Sequence, residues 1–184
     1  LRNNQDGTFT DQTEAAGLKG ILGGLNLIHA DFNNDGFMDF FVLRGGWLGP
    51  GGRHPNSLLQ NNGDGTFTDV SFDAGLVSVN SPTQTGTWND FNNDGLLDLF
   101  IGNESEPSQL YMNQGDGTFV DKARSAGTTN DRYSKGSVSG DFNDDGRADI
   151  YVSNFGSDNR LYQNNGDGTF TDVAEKSGVQ GPRD

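Results

Sequence analysis

Three copies of one acidic loop recur along this chain: Asp31-Phe-Asn-Asn-Asp-Gly-Phe-Met-Asp39, Asp90-Phe-Asn-Asn-Asp-Gly-Leu-Leu-Asp98 and Asp141-Phe-Asn-Asp-Asp-Gly-Arg-Ala-Asp149. Their first aspartates stand 59 and 51 residues apart. Such a period demands a repeat architecture, in which one supersecondary unit is copied and neighbouring units bury each other's apolar faces. A second motif keeps the same beat: Gln5-Asp-Gly-Thr-Phe9, Gly63-Asp-Gly-Thr-Phe67, Gly115-Asp-Gly-Thr-Phe119 and Gly166-Asp-Gly-Thr-Phe170. The interval from each Asp of this motif to the next acidic loop is 25 or 26 residues, so that half of the unit is fixed while the other half varies.

Within a unit the apolar residues alternate with period two between Gly, Asn and Asp clusters, and helical periodicity is absent. In the second unit strands are expected at residues 85–89, 97–101, 109–112 and 118–122. The last two are joined by a tight reversal at Gln114-Gly115-Asp116-Gly117, where glycine supplies the positive φ of a hairpin turn. Four such strands make one propeller blade, which buries its faces only by stacking on others. The expected fold is therefore all-β, a β-propeller segment of four-stranded antiparallel blades. Residues 1–18 supply a half blade, 19–76, 77–127 and 128–178 three full blades, and 179–184 a tail. The recurring Phe32, Phe91 and Phe142, and Phe9, Phe67, Phe119 and Phe170, are expected to fill the space between blades. Leu1 aligns with Leu59, Tyr111 and Tyr162 inside the third strand, so the sequence is expected to be a piece of something longer, an open arc of about half a ring.

The acidic loops point to calcium. Oxygen donors at loop positions 1, 3, 5 and 9, a backbone carbonyl at 7 and a Gly at 6 for a sharp turn can together wrap one hard cation. The candidate side-chain donors are Asp31, Asn33, Asp35 and Asp39; Asp90, Asn92, Asp94 and Asp98; and Asp141, Asn143, Asp145 and Asp149. Phe37, Leu96 and Arg147 are the candidate carbonyl donors, giving three Ca²⁺ sites. An EF-hand or dockerin loop would need an acidic residue at position 12, where this chain has Val42, Ile101 and Val152. Thrombospondin-type repeats need cysteines, and there are none. Plain Asn/Asp/Gly turns are common, but three matches in register are not. The aspartates of the second motif, Asp6, Asp64, Asp116 and Asp167, are read as turn residues whose side chains bond nearby amides.

A formal charge of −14 excludes nucleic acid and anionic membranes as partners. Three bound Ca²⁺ would offset six of those charges. No apolar run is long enough to span a bilayer, and no apolar leader is present in this segment.

The repeated D-F-N-x-D-G-x-x-D, followed by L-Y-x-N-N-G-D-G-T-F-T-D-V at residues 161–173, resembles the VCBS/FG-GAP-like repeat family of calcium-loop propellers related to the integrin α headpiece. The repeats are similar to those of ASPIC/UnbV-containing bacterial proteins and of cartilage acidic proteins. The resemblance implies a seven-bladed propeller that is extracellular, on the cell surface or periplasmic, with calcium between the first and second strands of each blade. The FG pair occurs only at Phe155-Gly156, so integrin-like ligand binding does not carry over.

The first unit carries seven extra residues between its second and third strands, in the Gly-rich stretch around Trp47, Arg53 and His54. Loops at a propeller face bind partners, so these three residues are candidate contacts for a protein or glycan ligand, although a Gly-rich loop whose Trp covers a blade edge explains them equally well. His29 aligns with Trp88 and Ser139, which suggests a channel-lining or packing side chain. Two histidines, no cysteine and no serine elbow offer little to catalysis. The expectation is a non-catalytic calcium-binding module for adhesion or recognition; the alternatives are a carbohydrate-binding module or a propeller hydrolase or lyase.

Overall fold

A computed structural model of the chain describes residues 1–77 and 80–181. The end of the expected tail, residues 182–184, and residues 78–79 near the first blade boundary lie outside the described residues. The architecture is a row of antiparallel sheets. The first has two strands, β1 (Arg2–Asn3) and β2 (Phe9–Thr10). Three four-stranded sheets follow in strict sequence order: β3 (Asn26–Ala30), β4 (Asp39–Leu43), β5 (Ser57–Asn61) and β6 (Phe67–Asp69); then β7 (Thr83–Asn89), β8 (Asp98–Asn103), β9 (Gln109–Asn113) and β10 (Phe119–Asp121). After one helical turn, α1 (Ala123–Ala126), come β11 (Ser134–Gly140), β12 (Asp149–Asn154), β13 (Arg160–Asn164) and β14 (Phe170–Asp172). This is the expected propeller segment of four-stranded blades.

Alternation along the second strand of a blade explains the stacking. On β8, Leu99 and Ile101 enter one core with Phe32, Phe41, Leu43, Leu58, Tyr111 and Phe119. Phe100, between them, faces the opposite way into a second core with Phe91, Ile150, Val152, Tyr162 and Phe170. The middle sheet is thus apolar on both faces, as a blade between two others must be. Backbone bonds add to the packing: the Phe67 amide donates to Ala16 O at 2.9 Å, and the Phe119 amide to Ala74 O at 3.0 Å. Near the start of each blade, Thr85 and Thr87 of β7 meet Ser137 and Ser139 of β11 through hydroxyl pairs at 3.0 and 2.8 Å.

Two expectations need correction. Phe142 is 50% exposed and Phe9 60% exposed, whereas Phe32, Phe91, Phe119 and Phe170 are buried. The loop phenylalanine of one blade packs on the hairpin phenylalanine of the next, Phe32 on Phe119 at 6.0 Å and Phe91 on Phe170 at 6.1 Å. Phe142 and Phe9 have no such mate among the described residues. The second correction is α1, a helical turn where only strands were expected, closed by Gly127 at φ 77°.

Strand order fixes two ends. The acidic loops join first to second strands, and the Gly-Asp-Gly-Thr hairpins join third to fourth, so in an antiparallel blade both lie at one end. The insertion between β4 and β5 lies at the other.

Candidate functional site

Each acidic loop folds by the same local bonds. The position-1 carboxylate accepts two backbone amides: Asp31 from Asp35 at 3.0 Å and Gly36 at 2.8 Å, Asp90 from Asp94 at 3.1 Å and Gly95 at 2.8 Å, Asp141 from Asp145 at 3.1 Å and Gly146 at 2.7 Å. The position-3 amide group donates to the position-5 carboxylate at 2.8 Å in all three, from Asn33 to Asp35, Asn92 to Asp94 and Asn143 to Asp145. The turn needs left-handed backbone at position 4, where Asn34, Asn93 and Asp144 have φ of 57°, 58° and 59°. Asn and Asp tolerate that region better than other side chains, which is why the loop carries them there.

The position-9 carboxylates are buried: Asp39 is 1% exposed, Asp98 0% and Asp149 2%. Each holds the loop to the sheet with both oxygens. Asp98 accepts from the Phe91 amide at 3.0 Å and the Asn113 amide at 2.8 Å; Asp39 accepts from Phe32 and Asn61, and Asp149 from Phe142 and Asn164. Burial pushes Asp39 above the usual carboxylate range and Asp98 up to about 6. Asp35 and Asp31 add to this at Asp39, and Asp94 and Asp90 at Asp98, against the amide bonds that work the other way. The position-9 carboxylate of each of the first two loops therefore feels the two other loop aspartates, with burial the larger effect.

The third loop differs. Arg147 at position 7 turns its guanidinium onto the Asp145 carboxylate at 2.5 Å and donates from Nε to Asn164 O at 3.1 Å. Side chains at position 7 cover the hairpin of the same blade: a Cβ on Gly63 would meet the Phe37 ring at 2.5 Å, and Leu96 and Arg147 lie against Gly115 and Gly166. This close cover and a φ of 75–80° favour glycine at the three positions, while Gln5 holds the equivalent place at φ 65°.

The donor set fits a hard divalent ion in type, since every side chain offered is a carboxylate or an amide and carboxylates keep free lone pairs beyond those used by the amides. No group of three Asp, Glu or His side chains among the described residues is gathered tightly enough to chelate by itself. A chelate here would draw on the Asn oxygens and on backbone carbonyls.

The hairpin aspartates take one geometry four times. Asp6, Asp64, Asp116 and Asp167 each accept from the Thr two residues on, through the amide at 2.9–3.0 Å and the hydroxyl at 2.6 Å. The threonine hydroxyls hold all four below the usual carboxylate range.

Sequence reasoning missed the asparagines that end the third strands. Asn113 donates its amide to Asp98 and its side-chain NH₂ to Phe32 O of the preceding blade at 2.9 Å and Leu97 O at 3.2 Å, and it accepts from the Gly115 amide at 3.0 Å. Asn164 repeats this on Phe91 O, Ala148 O and Gly166. The signal was present, because Asn61, Asn113 and Asn164 stand three residues before the hairpin aspartates.

At the opposite end, the insertion contains a short 3-10 turn, Gly49–Gly52. Trp47 is 65% exposed with φ 70°. Arg53 pairs with Glu106 of the next blade. His54 is exposed and lines a shallow cleft of about 200 Å³ with Arg44, Pro55 and Asp69. Arg44, a buried cation, is held by four bonds to Leu22 O, Pro55 O and Ser57 Oγ. His29 lies at the other end, exposed beside Met38 Sδ at 3.3 Å, while its counterpart Trp88 packs in the inter-blade core on Phe32, Phe41 and Phe119.

No described helix is long and apolar enough to cross a membrane. Cartilage acidic protein 1 of Homo sapiens is 28% identical over 188 residues, covering 95% of this chain and 28% of that protein. The Mus musculus protein of the same name is 28% identical over 88% of the chain and 26% of its own length. The Xenopus tropicalis one is 40% identical over 45% of the chain and 13% of its length. The chain thus spans about a quarter of the length of the two relatives that it matches end to end. The profile of the FG-GAP-like repeat matches residues 31–87, 90–152 and 141–183, each match opening at or spanning an acidic loop, and on that coverage the chain belongs to the FG-GAP-like repeat family.

Proposed function

We propose that the chain is a non-catalytic, calcium-stabilised propeller module that serves recognition or adhesion outside the cytoplasm. The observation that carries the calcium reading is one loop geometry repeated three times, in which the oxygens at positions 1, 3 and 5 are drawn into one turn above the buried carboxylate at position 9. Like charges held together by a fold weaken it, and a divalent cation among them converts that repulsion into attraction. Asp31, Asn33, Asp35 and Asp39 and their equivalents would supply side-chain oxygen, and Phe37, Leu96 and Arg147 carbonyl oxygen. The ion would act as a staple for a chain without disulfides.

The extracellular placement draws on the family and on relatives named for cartilage. The non-catalytic reading draws on the histidines, since His29 and His54 sit at opposite ends of the first four-stranded sheet and neither hydrogen-bonds a nucleophilic side chain among the described residues.

The test is a thermal melt in millimolar Ca²⁺ and in EGTA. At tenfold excess over Kd each site adds about 1.4 kcal/mol, so three add about 4 kcal/mol. For a chain of this size that raises the midpoint by roughly 10 °C. Equal midpoints in the two buffers would overturn the proposal.

A further inference from the structure

The insertion between β4 and β5 folds as a pinched flap that lies across the next two blades. At its base Gly45 and Gly52 pass back to back, so close that a Cβ on either would run into the carbonyl oxygen of the other. Only glycine permits that crossing. The base is tied to the middle blade, where the Thr83 amide donates to Arg44 O at 2.8 Å and Gly45 forms an isolated bridge with Thr83. The tip reaches further. Glu104, just after β8, accepts from the Trp47 and Gly49 amides, and from the Gln84 side chain and the Tyr133 hydroxyl. Lys135 of β11 sets its ammonium 3.1 Å from the centroid of the Trp47 ring and 4.2 Å from that of Tyr133, facing the opposite charge of Glu104. A carboxylate of the middle blade and an ammonium of the last thus grip the tip of a loop from the first.

The grip works against the backbone that it holds. Trp47 has φ 70°, in the left-handed region where a bulky side chain is strained. Trp47 is 65% and Leu48 58% exposed, so little apolar area fastens the tip. Gly45 and Gly46 on one side and Gly51 and Gly52 on the other leave the chain free to turn at both ends. The middle and last blades beneath are fastened differently, by continuous strand pairing and two apolar cores. Local opening starts where buried apolar contact is scarce, which describes the flap. Below it lie Gln84, 5% exposed, and Glu104, 3%.

We propose that residues 45–52 form a hinged lid, latched shut by the Lys135 ammonium on the Trp47 ring and by Glu104 on two tip amides, which opens as a unit while the blades stay folded. Opening brings Gln84, Glu104, Tyr133 and Lys135 to solvent where the middle and last blades meet, so the lid sets access to that junction.

The experiment measures amide hydrogen exchange in the full chain, residue by residue, by NMR. In wild type the Trp47 and Gly49 amides should exchange faster than the paired amides of β8, because the lid opens without the blades. Lys135→Met, which keeps the stem and removes the charge, should speed exchange at Trp47 and Gly49 about tenfold and leave β8 unchanged. Trp47→Ala, at an exposed position, should do the same at the Gly49 amide, and it decides the matter alone if Lys135→Met, by leaving Glu104 without its counter-charge, fails to fold. Gly49 exchange unchanged in the folded variants would overturn the latch. Rates at Gly49 and in β8 that match in wild type and rise together in the variants would overturn the lid, since the insertion would then open only with the blades. The flap lies at the end opposite the acidic loops, so these results and the calcium melt are read separately.

Discussion

Asn113 shows how much one side chain can carry in this fold. Its replacement by Ala leaves Phe32 O, Leu97 O and the Gly115 amide without their side-chain partner. At about 1 kcal/mol or more for each unsatisfied buried group, Asn113→Ala should cost about 3 kcal/mol in urea unfolding, and Asn113→Asp, which sets a buried carboxylate against the two carbonyl oxygens, at least as much. An unchanged midpoint would show that the bonds exchange freely with water. Glu104 makes a prediction in pH. Burial pushes its carboxyl up, but the bonds from Tyr133, Trp47, Gln84 and the Gly49 amide together bring it below its ordinary 4.5. A depressed carboxyl stabilises the fold fully above its unfolded pKa and loses that contribution as pH falls through its folded one. Acid unfolding of Glu104→Gln should therefore be less steep below about pH 4.5 than that of wild type, with parallel curves above it.

At the scale of strands and loops, the period of the acidic loops made the blades legible, because a fixed repeat with turn residues at fixed offsets leaves few ways to pair strands. Boundaries were less so. β7 starts at Thr83, two residues before the expected edge, because the Thr83 hydroxyl pairs with Asn103 and Asn56 and a bulge follows between Thr83 and Thr85. Such side-chain pairing across blades leaves no period in the sequence. Nor does α1, too short for a helical pattern. The oxygen-bearing residues of the loops were readable from residue type, whereas the cross-blade asparagines and the Glu104–Lys135 cluster depend on which blades meet. Under the calcium proposal the three loops should bind unequally. Asp94→Ala should lower calorimetric stoichiometry from three ions towards two, and an unchanged count would mean that position 5 is no donor. Arg147→Leu, by removing a cation from Asp145, should strengthen the third site by about 1 kcal/mol, roughly fivefold; affinity that falls instead would make Arg147 a support for the loop.

For the molecule as a whole, the outer sheet faces set behaviour in solution. On β11, Ser137 and Ser139 bond to the middle blade, so Val138 between them turns away and is 52% exposed, with Phe142 nearby. On β3, Leu27 is 51% exposed. Open apolar faces of this kind associate, and sedimentation should show weight-average mass rising with concentration, less so in Val138→Thr/Phe142→Ser. A concentration-independent monomer would rule this out. The asparagine latches, finally, give the row a direction. Asn113 reaches back to Phe32 O and Asn164 to Phe91 O, each time from a later blade to the loop of the one before. Under tension from the C-terminal side, a later blade leaves before the one it latches, and its departure frees the loop beneath. The array should then peel stepwise like a ratchet released tooth by tooth, whereas tension from the N-terminal side pulls each loop against a latch still seated in its neighbour.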